Sequence, residues 1–329
     1  MTASCLAPLL MSLACATSHI SRPNIVFIMA DDLGWNDVSF HGSDQILTPN
    51  IDALAYNGLI LNQHYSEALC TPSRAALLTG KYPIHTGMQH NVILEPEPRG
   101  LPLSEITLPQ RLQTLGYATH AVGKWHLGFY KKEYTPHYRG FNSHYGFWNG
   151  YQDYYKHTVQ ASFFSFEGYD MRLNNNVSWE GVGRYSTDLF TDRAIEIVAK
   201  HDAKQPLFLY LAHLAPHAGN YDNPLQAPRD TLDKLKHIPD LSRRTYAGMV
   251  TKLDESVGRV VKALEEKSIL NNTIIVFVSD NGAATEGIHK NRGSNWPLKG
   301  EKSTPWEGGV RTVCCVWSSS LINKNKVSK

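Results

Sequence analysis

The chain has 329 residues, 42% hydrophobic and 19% charged, with a formal net charge of +2 that leaves 15 histidines uncounted. This is the composition of a globular protein long enough for one large core or two smaller ones. It holds no basic run that could track a phosphate backbone, which argues against nucleic acid as a partner, and no stretch apolar for long enough to insert stably in a membrane.

The N-terminus reads as a secretory signal over residues 1–18. Leu6 to Ala14 form a short apolar stretch and Ala14-Cys15-Ala16 a small-x-small cleavage site, although no Lys or Arg precedes them. Of five cysteines, Cys5 and Cys15 lie in that segment. Cys314 and Cys315 sit together in the apolar run Val313 to Trp317 and are expected on opposite faces of a buried strand. Secreted proteins usually pair their cysteines, so Cys70 stands out as unpaired. The sequons Asn176-Val177-Ser178 and Asn271-Asn272-Thr273 fit a glycoprotein of the secretory pathway.

Four β-rich runs follow: Asn24 to Met29 (NIVFIM), Ala118 to Val122, Leu207 to Leu211 (LFLYL) and Ile274 to Val278 (IIVFV). Their near-continuous apolar character predicts strands buried on both faces. Helical patterns lie between them. Pro49-Asn50-Ile51 starts one that Gly58 ends, and Leu108 to Leu115 is another, ended by Gly116. Two more cover Thr187 to Lys200 and about Arg243 to Lys267, the last with Tyr246, Met249, Val250, Leu253 and Val257 on one stripe. The alternation predicts an α/β sandwich, helices on both faces of one sheet. Residues 134–185 show little periodicity and read as long rim loops. Their Trp148, Tyr151, Tyr154 and Tyr155 suit stacking on a sugar or simple packing equally.

Two of the strands run straight into acidic pairs: Asp31-Asp32 after NIVFIM, and Asp280-Asn281 after IIVFV. Ligands gather at the carboxyl ends of strands in open α/β sheets. Three carboxylates and an amide oxygen there are hard ligands for calcium or magnesium, and without a cation they would repel. Each pair alone would read as a turn. His213 and His217 have the spacing of a helical zinc pair, but Pro216 between them argues against a helix. Cys70 precedes a short helix whose start is marked by Pro72 and Ser73, where a developing anion would be stabilised. Arg74 adds positive charge nearby; the plainer reading of Cys70 is a buried small hydrophobe.

The run Cys70-Thr71-Pro72-Ser73-Arg74, with its tail Thr79-Gly80, resembles the sulfatase signature C-x-P-S-R. The resemblance extends from Arg22 to nearly the end of the chain. It is closest to the arylsulfatase B (N-acetylgalactosamine-4-sulfatase) group, through Leu47 to Asp52, Ile84 to Gly87, Gly123 to Gly128 and Trp306 to Arg311. It implies an alkaline-phosphatase-like sandwich with a large mixed, mostly parallel sheet, and a sulfatase catalytic domain over 19–329. It also implies a nucleophile, formylglycine, made from Cys70 by a formylglycine-generating enzyme, and one calcium ion held by Asp31, Asp32, Asp280, Asn281 and position 70. Arg74, Lys124 and His126 match residues that hold and activate the formylglycine hydrate. His217 matches the proton donor to the leaving group, and Lys302 the lysine that grips sulfate. The implied substrates are sulfated N-acetylgalactosamine and aryl sulfates, and the implied location is lysosomal or extracellular. The family normally continues into further strands and a small C-terminal domain, which makes an inactive secreted binding protein the alternative. A cysteine pair that relatives often carry after Gln89-His90 is also missing. Phosphatases of the same fold use Ser or Thr and often two zinc ions, which the cysteine motif argues against.

Overall fold

The computed structural model describes residues 22–95, 97–163, 165–287, 289–321 and 326–328. The expected signal, with Cys5 and Cys15, lies outside them. In chain order the strands are β1 (Asn24–Ala30), β2 (Leu59–Leu61), β3 (Ala118–Lys124), β4 (Ser143–Phe147), β5 (Thr158–Gln160), β6 (Glu167–Tyr169), β7 (Arg172–Leu173), β8 (Asn176–Val177), β9 (Leu207–Ala212), β10 (Thr273–Ser279), β11 (Cys314–Ser318) and β12 (Lys326–Ser328). The helices are α1 (Pro49–Tyr56), α2 (Cys70–Thr79), α3 (Leu108–Thr114), α4 (Ser186–Lys200), α5 (Arg229–Lys234), α6 (Leu241–Glu266) and α7 (Glu307–Val310).

The four apolar runs became β1, β3, β9 and β10, at the centre of a ten-stranded sheet ordered β12-β2-β11-β10-β1-β9-β3-β4-β7-β8. From β10 to β4 the strands are parallel, while β11 joins β10 antiparallel. Side chains alternate across the sheet, so each strand feeds two cores. Val26 and Ile28 of β1, with Leu209 and Phe277, pack on the face covered by α1, α4 and α6. Met29, Tyr210 and Val278 pack on the face holding α2 and α3. Each such side chain contributes about 1.5–3 kcal/mol by leaving water. Cys314 and Cys315 divide the same way, one into each core, and both are free thiols.

Helix ends follow local chemistry. Asp240 caps α6 by accepting from the Arg243 N–H at 2.7 Å, and Thr107 with Gln110 forms a capping box on α3. The first turn of α1 is capped from across the fold: Asp254 of α6 accepts from the Asn50 and Ile51 N–H groups at 3.0 and 2.8 Å.

Two expectations need correction. Residues 134–185 are not all loop, since they contain β4 to β8. The sequence SHYGF of β4 has no apolar run, and its place beside β3 depends on glycine. A Cβ on Gly123 would stand 1.9 Å from the Ala212 carbonyl oxygen, and one on Gly146 would stand 2.0 Å from that of Gly123. The helix expected from Pro72 already includes Cys70 as its first residue. No helix among the described residues is long and apolar enough to cross a membrane.

Candidate active site

The parallel strands all deliver residues to one rim. Asp31 and Asp32 leave β1, Lys124 ends β3 and is followed closely by His126, His217 lies in the loop after β9, and Asp280 and Asn281 leave β10. Cys70 opens α2 and Arg74 follows one turn later. Lys302 reaches in from the loop before α7. The side chains of Asp31, Asp32, Arg74 and Lys124 are fully enclosed, and that of Lys302 is 9% exposed. All the residues expected from the sequence are therefore gathered in one place.

Asp31 sits at the centre. Its Oδ2 accepts from Lys124 Nζ at 2.6 Å. Its Oδ1 lies 3.5 Å from Cys70 Sγ and 3.7 Å from Arg74 Nη2. Arg74 donates through Nε and Nη2 to Asp280 Oδ2, at 3.1 and 2.8 Å. Asp32 accepts from Lys302 Nζ at 2.7 Å and from Asn281 Nδ2 at 2.6 Å. Asp32 has φ 63°, a left-handed conformation, and its N–H donates to Asp280 Oδ1 at 3.2 Å. Strain of this kind is kept where the surroundings over-determine it. Buried charges of this density persist only when paired, and removing one partner typically costs about 3–5 kcal/mol.

The environment sets the protonation states. Burial pushes the Cys70 thiol up to about 12, even against Lys124 and Lys302. Cys70 is thus a thiol at neutral pH. Burial would lower Arg74, but Asp280, Tyr210 and Asp31 outweigh it and hold the guanidinium above its usual range. Burial and the Asp31 charge push Asp280 up against the pull of Arg74. Burial lowers both His126 and His217 well below the ordinary histidine range, with Lys124 adding at the first and Lys302 at the second. Carbonyls only accept, so the hydrogen bonds assign the tautomers. His126 Nε2 donates to the Ile93 carbonyl at 2.9 Å, leaving Nδ1 buried without a partner. His217 Nδ1 donates to the Ala218 carbonyl at 2.5 Å, leaving Nε2 bare, 3.5 Å from Asp32 Oδ2.

These residues fit a hard cation. Asp31, Asp32, Cys70 and His217 offer ligand atoms all within 4.8 Å of one another. Asn281 Oδ1 is a buried oxygen without a hydrogen-bond partner, an acceptor that a bound ion or water would satisfy. Asp280 turns its Oδ2 to Arg74 and its Oδ1 to the Asp32 N–H, while His217 stands in the ligand group beside Asp31. The zinc pair considered from spacing does not form. His213 is buried with Nε2 2.9 Å from Ser256 Oγ and its ring beside Phe190, and it is not in the group that His217 forms with Asp31, Asp32 and Cys70.

A cavity of about 590 Å³ opens over Cys70, His126, His217 and Lys302. Of the four aromatic residues noted in the rim segment, Tyr151 lines it, whereas Tyr154 is buried packing whose hydroxyl donates to the His217 carbonyl at 2.8 Å. Sequence reasoning missed four contributors. Thr71 Oγ1 donates to the His126 carbonyl at 3.0 Å and accepts from the Ile93 N–H at 3.1 Å, tying together the segments around Cys70. Tyr221 and His289 line the cavity from irregular stretches with no pattern to reveal them. Gly150 lies under the His126 ring, where a Cβ would come within 2.6 Å.

Comparison with known proteins places this geometry. A family model described as Sulfatase matches residues 23–329. Arylsulfatase J of Mus musculus is 46% identical over 315 residues, covering 95% of this chain and 51% of the relative. N-acetylgalactosamine-6-sulfatase of Sus scrofa is 34% identical over 333 residues, covering 93% and 59%. The crystal structure of Ps i-CgsB superposes with a TM-score of 0.84 at 36% identity, covering 93% of this chain and 68% of that one. The chain thus spans about half the length of the arylsulfatase J it matches. A family match that begins just before β1 and takes in each strand end of the rim leaves one assignment: the chain belongs to the sulfatase family.

Proposed function

We propose that this chain hydrolyses sulfate esters with a formylglycine made from Cys70 and a calcium ion bound beside it. The observation that carries this is the placement of Cys70 at the floor of the cavity, with Asp31, Arg74 and Lys302 around it and a thiol too basic to act as an anion itself. When present, the hydrated aldehyde supplies an oxygen nucleophile, and calcium supplies positive charge for the sulfate oxygens. Asp31, Asp32, Asp280 and Asn281 would hold the ion, with the free Asn281 Oδ1 among the donors.

The remaining work falls to this chain's own side chains. Lys124 and Lys302 hold positive charge where sulfate oxygens would lie, preorganised by Asp31 and Asp32. Arg74, locked between Asp280 and the Lys124 carbonyl, keeps a fixed cation beside position 70. His217 Nε2, bare in the resting site, is the atom that would take up a proton beside the bound sulfate anion and pass it to the departing alcohol. His126 Nδ1, bare and buried, accepts a proton at position 70. Cys70 is 1% exposed, so a formylglycine-generating enzyme would act before α2 packs.

The relatives' names favour sulfated N-acetylgalactosamine and aryl sulfates as substrates, and the two sequons favour the secretory pathway, lysosomal or extracellular, as the compartment. The intact set of site residues favours an enzyme over a binding protein. The test is mass spectrometry of the peptide holding Cys70, from protein made in eukaryotic cells, beside a fluorogenic aryl sulfate assay. Aldehyde at position 70 with turnover is the expected result. An unmodified thiol in cells that convert a control sulfatase would overturn the reading.

A further inference from the structure

We propose that the cavity over Cys70 selects sulfate esters whose alcohol is a ring bearing no second anionic group, through an aromatic wall of Tyr151, Tyr221 and His289 and the carboxylates of Glu95, Glu286 and Glu301. This rests on the sulfate-ester reading above and narrows its substrate class.

The wall begins at His217, the residue nearest the departing oxygen in that reading. The Tyr151 ring lies parallel to it at 6.2 Å between centroids. His289 stands 4.5 Å from Tyr151 and stacks on Tyr221 at 5.0 Å. The Tyr221 hydroxyl is 3.3 Å from His289 Nε2, which fixes the two rings together. An alcohol joined to a sulfate at the floor would extend along these rings, and flat apolar faces suit a sugar or aryl ring.

Charge then sets what else the ring can carry. Among the described residues lining the cavity, Lys302 is the one cation, against the carboxylates of Glu95, Glu286 and Glu301. Lys302 is already committed to Asp32 and the sulfate position. Glu95 is held by the Ser162 hydroxyl and N–H at 3.0 and 3.1 Å, and Glu301 by the Glu286 N–H at 2.8 Å. These acceptors suit ring hydroxyls. A second sulfate or a carboxylate on the same ring would meet like charge with no free cation, the repulsive element that specificity requires.

The test measures binding to the full chain carrying Cys70→Ala, by calorimetry, of a monosulfated hexosamine and of the same sugar with a second sulfate on the ring. The monosulfated ring is expected to bind at least about tenfold more tightly at low salt, the gap shrinking as salt rises. In Glu95→Gln/Glu286→Gln/Glu301→Gln the gap should close because the disulfated ring binds better; Glu286→Gln alone, at an exposed position, is the second variant should the triple one not fold. His289→Ala should weaken the monosulfated sugar while inorganic sulfate binds as before. Equal affinity for the two sugars, a gap untouched by the Gln variants, or no binding of either sugar overturns the proposal. Turnover by converted wild type is scored separately: discrimination in binding with no hydrolysis would sink the hydrolase reading and leave the selectivity standing.

Discussion

Lys302 shows how one residue closes the site. It comes from a loop far along the chain, yet its ammonium sits 2.7 Å from Asp32 and it lines the cavity with Cys70. Lys302→Ala should lower kcat/KM by about 10²–10³, as loss of one preorganised donor does; a near-normal rate in a steady-state assay would show that this lysine does not meet the transition state. Cys70→Ala should abolish turnover while circular dichroism and the melting temperature stay close to wild type, since a buried thiol is exchanged for a smaller apolar group. His217 divides substrates by leaving group. An aryl oxide departs without a proton and a sugar alkoxide does not, so His217→Ala should cost sugar sulfates more than aryl sulfates. Equal losses on both would place His217 in sulfate binding instead.

At the scale of elements, α6 links the core to the site's scaffold. Its Asp254 caps α1, and α1 leads into β2 and then α2. Burial pushes the Asp254 carboxyl from 3.8 to about 6, against three hydrogen bonds from Asn50 and Ile51 that lower it. The folded state therefore holds this proton more tightly than the unfolded chain does. The sign follows: the group's contribution to stability is full below about pH 4 and falls as pH rises through 6, by about 3 kcal/mol. Denaturant titrations of wild type and Asp254→Asn at pH 4 and pH 7 should show the wild-type advantage shrinking by that amount. A constant difference would mean Asp254 titrates normally. The same elements show what was legible beforehand. β1, β9 and β10 announced themselves because a parallel central strand is buried on both faces and must be apolar throughout. β4 did not, because it approaches β3 through its own Gly146, and glycine carries no periodic signal.

For the whole molecule, the rim pairs its three carboxylates with Arg74, Lys124 and Lys302 but leaves Asn281 Oδ1 without a partner, so cation binding there should be a stability term as well as a catalytic one. Calcium should raise the melting temperature, approaching about 2.7 kcal/mol of stabilisation at a hundred times its dissociation constant. A chelator should reverse the shift and Asn281→Ala should blunt it; melting curves indifferent to calcium in the wild type would remove the ion from the account. The sequence by itself determined the α/β class, the central strands, the long helices and the identity of the rim residues. It could do so because burial demands apolar runs, and because the cysteine motif and the two acidic pairs resemble those of a known family. Only the tertiary structure decided how the charges are shared: Asp31 with Lys124, Asp280 with Arg74, Asp32 with Lys302 and Asn281. It alone raised the Cys70 thiol, assigned the tautomers of His126 and His217, and brought Tyr221 and His289 to the cavity wall. Those outcomes depend on distance and desolvation between segments remote in sequence, and neither quantity is written in the order of residues along the chain.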